Sequence, residues 1–109
     1  MLKFDNETKK ISMIVKDTGS LTVNIDNYTL NEGDEVVLTV NKTREDEHPL
    51  IQKRVSVFND GQAIIQFTVE DTNVQPGDYL YDIQVNGADG RVDTVVGPAK
   101  FKFEGGITY

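Results

Sequence analysis

The stretch Asp71-Thr72-Asn73-Val74-Gln75-Pro76-Gly77-Asp78-Tyr79-Leu80-Tyr81-Asp82-Ile83 limits the fold more than any other part of the chain. It reads as a corner feeding a buried strand of a β-sandwich. At such corners a tyrosine turns its hydroxyl back onto upstream backbone, two residues before an inward-facing core position. Tyr79 is the predicted corner residue and Tyr81 the predicted core residue that follows it. Nothing in this stretch is chemically reactive, so it constrains the fold and leaves the activity open.

The rest of the chain carries the same signature. Apolar residues recur with a period of two, and Gly, Asn and Asp punctuate them about every ten residues. Residues 2–5 and 10–16 form a predicted hairpin around Asn6-Glu7-Thr8, with Ile11, Met13 and Val15 on one face. Leu21, Val23 and Ile25 point one way, and Thr22, Asn24 and Asp26 the other, as one dry and one wet face require. Glu32-Gly33-Asp34 is a turn, and residues 35–41 follow as a strand with Val36, Leu38 and Val40 toward the core. Val37 and Thr39 are expected outside or under a neighbour.

Residues 42–49 are the most polar segment and, with Pro49 at their end, mark an exposed loop. Residues 50–58 resume strand character, and Asn59-Asp60-Gly61 reads as a tight turn joining them to residues 62–69 as a hairpin. One short helical turn is expected at 70–73, then a strand over 79–85, a loop at 86–90 and a return strand from Arg91. That return strand is interrupted at Gly97-Pro98, which implies an edge position or a bulge because proline cannot donate to a ladder. Beyond it Phe101 and Phe103 face inward, and Lys100 and Lys102 outward. The expected architecture is all-β: an immunoglobulin-like antiparallel β-sandwich with Greek-key connections and about seven to eight strands, in which Tyr81 takes the position antibody domains give to a cysteine. One domain is expected over 1–104, with 105–109 a flexible tail.

At 109 residues, a single domain hides roughly two-thirds of the surface of its unfolded chain, enough for one core without staples. The chain has no cysteine, so no disulfide framework supports it, and the compartment stays open on that ground. The first ten residues have no apolar segment behind a basic start, so they do not read as a secretory signal. No apolar run is long enough to span a bilayer. Eighteen acidic against eleven basic side chains give a net charge of −7, which repels phosphate backbones and anionic lipid. The basic residues Lys3, Lys42, Lys53 and Lys100 are scattered. Neither nucleic acid nor membrane is therefore an expected partner.

The inventory for catalysis is short. His48 is the sole histidine, so no triad or histidine metal cluster can form within one chain. Ser12, Ser20 and Ser56 lack the surround of a strained nucleophile. Glu45-Asp46-Glu47, or Asp71 with Asp78, offer oxygen ligands, but a solvated loop accounts for the first set and a corner-bracing role for Asp71. Paired acids would suit glycoside hydrolysis, yet acids at sheet rims are commonplace. No catalytic, metal or cofactor-binding residue is expected, and no cofactor; the binding residues are not identified. The chain has no tryptophan, and Tyr28 and Tyr109 are the tyrosines available for exposure, Tyr28 more readily packing in its turn. Val37, Leu80 and Ile64 fall on outward positions. They are either isolated surface aliphatics or a subunit contact, with Leu80 and Ile64 on an assembling outer face.

Several segments in order, Asp17-Thr18-Gly19-Ser20, Leu30-Asn31-Glu32-Gly33-Asp34-Glu35-Val36, Asp60-Gly61-Gln62-Ala63, Asp71-Thr72, Gly77-Asp78-Tyr79-Leu80-Tyr81-Asp82-Ile83 and Gly90-Arg91-Val92-Asp93-Thr94-Val95, carry a resemblance. The chain resembles small immunoglobulin-like domains of bacteriophages and prophages, in particular the N-terminal domain of upper baseplate proteins from phages of Gram-positive bacteria. The resemblance runs from about Ile11 to Phe103. It implies a non-catalytic virion part, a baseplate or tail adaptor or spacer mediating protein–protein assembly. The implied partners are other phage tail or baseplate proteins, with a homo-oligomer as a further state, and the implied location is the virion after synthesis in the host cytoplasm. Such proteins usually continue into a helical or fibre-forming region, whereas this sequence stops at Tyr109. The alternative is a carbohydrate- or surface-binding module of a bacterial adhesin. An enzyme or metal-dependent domain is the third class, and the inventory above weighs against it.

Overall fold

Eight strands follow one another in the computed structural model, which describes residues 2–25, 29–43 and 48–106. They are β1 (Lys3–Phe4), β2 (Ile11–Ile14), β3 (Gly19–Val23), β4 (Glu35–Asn41), β5 (Ile51–Val55), β6 (Ala63–Phe67), β7 (Gly77–Asn86) and β8 (Val92–Glu104). Six strands form one sheet in the order β1-β2-β8-β7-β4-β5, and β3 pairs with β6 in a second. The protein is all-β with a sandwich-like arrangement, and no helix occurs among the described residues.

Strand alternation places the core. Val36, Leu38 and Val40 on β4 are wholly buried, and Tyr79, Tyr81, Ile83 and Val85 on β7 turn to the same side in register with them. From the small sheet Leu21, Val23, Ala63, Ile65 and Phe67 enter the same cluster. Phe101 is its hub. Its ring meets Phe67 of the facing sheet edge-on at 5.8 Å, meets Tyr81 edge-on at 5.8 Å and stacks on Phe103 at 4.6 Å. Edge-to-face pairs add to area burial because the positive ring edge meets a negative face. Ile11, Met13 and Val15 are buried as the alternation requires, with β1 and β2 forming the expected antiparallel hairpin. Ile25 packs partly buried against the core; Asp26 lies outside the described residues.

The corner has the geometry expected of it. The Tyr79 hydroxyl donates to the carbonyl of Gln75 at 2.5 Å, and Tyr81 is buried two residues on. The Tyr81 hydroxyl donates to the carbonyl of Lys9 in the β1–β2 hairpin. A single helical turn precedes the corner, with the Thr72 N–H reaching the Thr68 carbonyl at 3.2 Å.

Three features depart from the sequence reading. The sheets are not antiparallel throughout: β2 runs parallel to the end of β8, Ile11 opposite Phe101 through Ile14 opposite Glu104. The Asn59-Asp60-Gly61 turn forms, with positive φ at both Asp60 and Gly61 and main-chain bonds closing Asn59 on Gln62, yet it does not join a hairpin. β5 stops at Val55 and pairs with β4, whereas β6 pairs with β3, so the chain changes sheets there. Turn chemistry acts over four residues; sheet membership is decided by partners much farther along the chain.

The return strand β8 is not broken at Gly97-Pro98 but runs through both residues. The register steps there, from Tyr81 opposite Ala99 to Ile83 opposite Val96, so that Asp82 faces two residues. This bulge is one of the two placements expected for Pro98. Val37, expected outside or under a neighbour, is on the outward side of β4 and only 5% exposed. It stands opposite Arg54 and Gln84, and the Arg54 guanidinium is fixed above that face by Glu35 at 2.7 Å and Gln52 at 3.3 Å. A long cationic side chain on the neighbouring strand can cover an outward aliphatic with its methylene stem. In the expected tail, residues 107–109 lie outside the described residues.

Candidate functional site

Several of the side chains capable of chemistry are engaged in holding loops. Lys53 faces inward from the edge strand β5, opposite Leu38, and its ammonium reaches the Asp71 carboxylate at 2.8 Å. The same carboxylate oxygen accepts the Thr68 N–H at 2.8 Å, while the Asp71 N–H donates to the Thr68 hydroxyl at 3.2 Å. Burial would push the Asp71 carboxyl up, but the hydrogen bonds from Lys53 and Thr68 outweigh it and leave it below its ordinary value. Asp71 therefore braces the corner. Asp34, 6% exposed, accepts the N–H of Asn31 at 2.9 Å and of Ala88 at 3.2 Å, tying the β3–β4 turn to the β7–β8 loop.

The other sequence candidates stay apart. His48 is exposed at the end of its loop, and Glu45, Asp46 and Glu47 lie outside the described residues. Asp78 is exposed, and its main-chain carbonyl accepts the Lys42 ammonium at 3.1 Å; that ammonium also sits 4.6 Å from the centre of the Tyr79 ring. Among the described residues no group of three or more His, Cys, Asp or Glu side chains converges. Tyr28 and Tyr109 lie outside the described residues, and among those described Phe4 is the one exposed aromatic. Leu80 and Ile64 do not share a face. Leu80 is on the outer side of the large sheet beside Asn41 and Lys100, and Ile64 is on the outer side of the small sheet beside Thr22.

The outer side of the large sheet carries the feature that spacing alone did not single out. A shallow concavity of about 200 Å³ is lined by Thr39, Asn41, Thr43, Leu80, Asp82 and Pro98, with Tyr81 at its base. Strand register builds it: Thr39 faces Asp82, Asn41 faces Leu80, and the bulge brings Pro98 alongside Asp82. Gly97 makes that approach feasible, since a Cβ there would lie 2.6 Å from the Tyr81 carbonyl oxygen, at a φ of +97°. One acceptor in this wall is unsatisfied. Asn41 Oδ1 is buried with no hydrogen-bond partner among the described residues. Asp82 is half-buried, and burial, with no compensating bond, raises its carboxyl above the usual range. A lone Asp at an outward strand position gives no sign of either property in sequence.

Sheet edges are the other open surfaces. β5 is protected, as Lys53 points inward and Arg54 lies alongside it. The stretch of β8 before Phe101 pairs with β7 on one side and with no strand on the other among the described residues.

No curated protein matches the sequence. A family model described as a domain of unknown function, DUF8756, matches residues 5–101. The match takes in every residue lining the concavity as well as the tyrosine corner and the inward phenylalanine Phe101. Covering far more than half of the sequence, it establishes that the chain belongs to the DUF8756 family.

Proposed function

We propose that this protein is a non-catalytic structural module of a bacteriophage or prophage, an adaptor or spacer of the tail or baseplate that works by protein–protein assembly. The observation that carries the reading is where its reactive groups are spent. Asp71, Lys53, Asp34, Thr72 and the hydroxyls of Tyr79 and Tyr81 are all committed to tying loops and corners to the core. A scaffold whose polar groups stabilise its shape is suited to being a part.

The sequence resemblance to phage immunoglobulin-like domains supports the same reading. The strand arrangement agrees with an immunoglobulin-like Greek key, with β2, β8, β7, β4 and β5 in one layer, β3 and β6 in the other, and a tyrosine corner at β7. The outer face of the large sheet and the edge of β8 that no described strand covers supply surface for assembly, and the net charge of −7 disfavours nucleic acid and anionic lipid as partners.

Immuno-electron microscopy tests the assignment. Antibodies against the protein should decorate the tail end of phage particles induced and purified from the bacterium carrying this sequence. Particles that are uniformly unlabelled, while the protein accumulates free in the cells, would exclude it.

A further inference from the structure

We propose that the open edge of β3 receives an extended segment of a partner protein, which pairs antiparallel with that strand and sinks alternate apolar side chains into the slot between the two sheets. This rests on the assembly reading above and specifies the kind of contact.

Unpaired main chain selects the occupant. β3 pairs with β6 on one side and with no strand on the other among the described residues, so alternate residues of Gly19–Val23 turn N–H and C=O groups to an uncovered edge. Extended backbone is what answers a row of donors and acceptors at that spacing. The other edges are less receptive. β5 carries Lys53 and Arg54, and the uncovered run of β8 is interrupted by two register shifts and by Pro98, which has no N–H to give. Beyond β6 the two sheets are bridged by Lys53 and Asp71. β3 itself pairs without a register shift and holds neither charge nor proline.

The slot beside β3 has the period of a strand. Its Gly19 end is closed by the β1–β2 hairpin, which packs so near that a Cβ on Gly19 would lie 2.9 Å from side-chain atoms of Leu2 and Met13. Beyond the hairpin two clefts stay open. Leu21, Val23, Ile83 and Val96 line one of about 220 Å³, and Ile25, Val85 and Val95 line one of about 170 Å³. Ile83 and Val85 are two residues apart on β7, about 7 Å along a strand, which is the spacing of same-side side chains on an extended chain. Each cleft therefore takes one of two alternate aliphatic side chains.

Charge sets the direction. Lys9 lines the slot at the hairpin end, its ammonium bonded to the Asn6 carbonyl at 2.7 Å, and Asp93 lines the other end, where it also meets Arg91 at 3.1 Å. An antiparallel segment with a basic residue at its start and an acidic one at its end complements both. A second copy fits badly. Pairing β3 on β3 about a two-fold axis would bring the hairpin at each Gly19 end against the open end of the other strand, and each copy carries a charge of −7.

The test titrates the full chain, labelled with nitrogen-15, with the peptide acetyl-Lys-Thr-Val-Thr-Val-Thr-Glu-amide. Saturable shifts at residues 19–25 and 92–96, with slowed amide exchange on β3, are expected. Replacing both peptide valines by serine should weaken binding more than about tenfold, the loss of two buried aliphatics. Two N-methylated peptides, one modified on the valines and one on the threonines, separate ladder pairing from simple apolar contact. The set whose N–H groups face β3 should lose more than about tenfold, and the other should bind nearly as the parent does. Lys9→Glu should weaken the parent peptide by about two- to fivefold, and a peptide ending in Lys should recover the loss. No saturable binding, shifts that spare β3, equal loss in both N-methylated peptides, or a Lys9→Glu protein indifferent to the terminal charge would overturn the proposal. Slowed exchange on β3 that grows with protein concentration and no peptide would also overturn it, in favour of a second copy. Labelled phage particles with a negative titration remove the strand contact and keep the assembly role; unlabelled particles with a positive titration do the reverse.

Discussion

Thr72 and Asp17, 55 residues apart, are joined by a hydrogen bond of 2.7 Å from the threonine hydroxyl to the aspartate main-chain carbonyl. The Lys16 N–H returns the contact, donating to the Thr72 carbonyl at 3.0 Å. Thr72 is wholly buried, so the corner after β2 is latched to the corner before β7 in a dry environment. Thr72→Val keeps the shape and leaves the Asp17 carbonyl without its donor. The expected loss is about 1–2 kcal/mol of unfolding free energy, read as a lower urea midpoint at unchanged slope. An unchanged midpoint would show the latch to be idle.

Tyr79→Phe removes only the hydroxyl that binds the Gln75 carbonyl. Its cost should be about 1 kcal/mol, with the core packing of the ring against Phe103 retained. Near-ultraviolet circular dichroism and denaturant unfolding together separate the lost bond from lost packing.

Alkaline stability should report Tyr81. Burial pushes its phenol up to about 12, from an ordinary 10.0. The folded state therefore keeps the proton through a range in which the unfolded chain loses it. The contribution is complete below pH 10 and declines as the pH rises toward 12, by about 2–3 kcal/mol in all. Urea unfolding across that window should show the decline, and Tyr81→Phe should flatten it.

Asp71 acts at the other end of the scale. Burial works to raise its carboxyl, but the bonds from Lys53 and Thr68 bring it below the ordinary 3.8. Its contribution is present above that ordinary value and is lost as the pH falls through the lower folded one. Asp71→Asn should cost about 1 kcal/mol at neutral pH, modest because both partners are partly solvated, and should reduce the steepness of acid unfolding. An acid limb identical to that of the parent protein would assign that steepness to other carboxylates.

Gly97→Ala and Gly90→Ala form a matched pair. Both residues have φ above +90°, but a Cβ at Gly90 meets open space, while one at Gly97 meets backbone of Tyr81 and Asp82 within 3.1 Å. Gly90→Ala should cost about 1 kcal/mol from backbone strain, and Gly97→Ala at least about twice that. Equal costs would mean that the bulge yields.

How much of this was legible follows the range of the forces involved. The strand over 35–41, the inward Phe101 and Phe103, the hairpin on Asn6-Glu7-Thr8 and the hydroxyl of Tyr79 are all written in short-range pattern, and the structure places each of them so. The turn at 59–61 was readable as a turn but not as a change of sheet, because β6 is claimed by β3, a partner some forty residues earlier. Lys53 shares the inward side of β5 with Ile51 and Val55, and its charge there is accounted for only once Asp71 is known to wait on that side. Leu80 and Ile64 are outward as their periodicity requires, but on different sheets, because periodicity gives a side and not a sheet. The orphaned Asn41 oxygen on β4 and the half-buried Asp82 beside the β7–β8 bulge depend on cross-strand neighbours, beyond what either residue's neighbours in sequence disclose.

The hydroxyl of Tyr81 grips the Lys9 carbonyl while its buried ring packs edge-on against Phe101. A leading hairpin with so short a first strand would ordinarily breathe by itself, exchanging its amides and admitting proteases while the interior stays shut. Here any such opening strips the acceptor from a sequestered phenol, so the hairpin and the interior loosen as one cooperative unit.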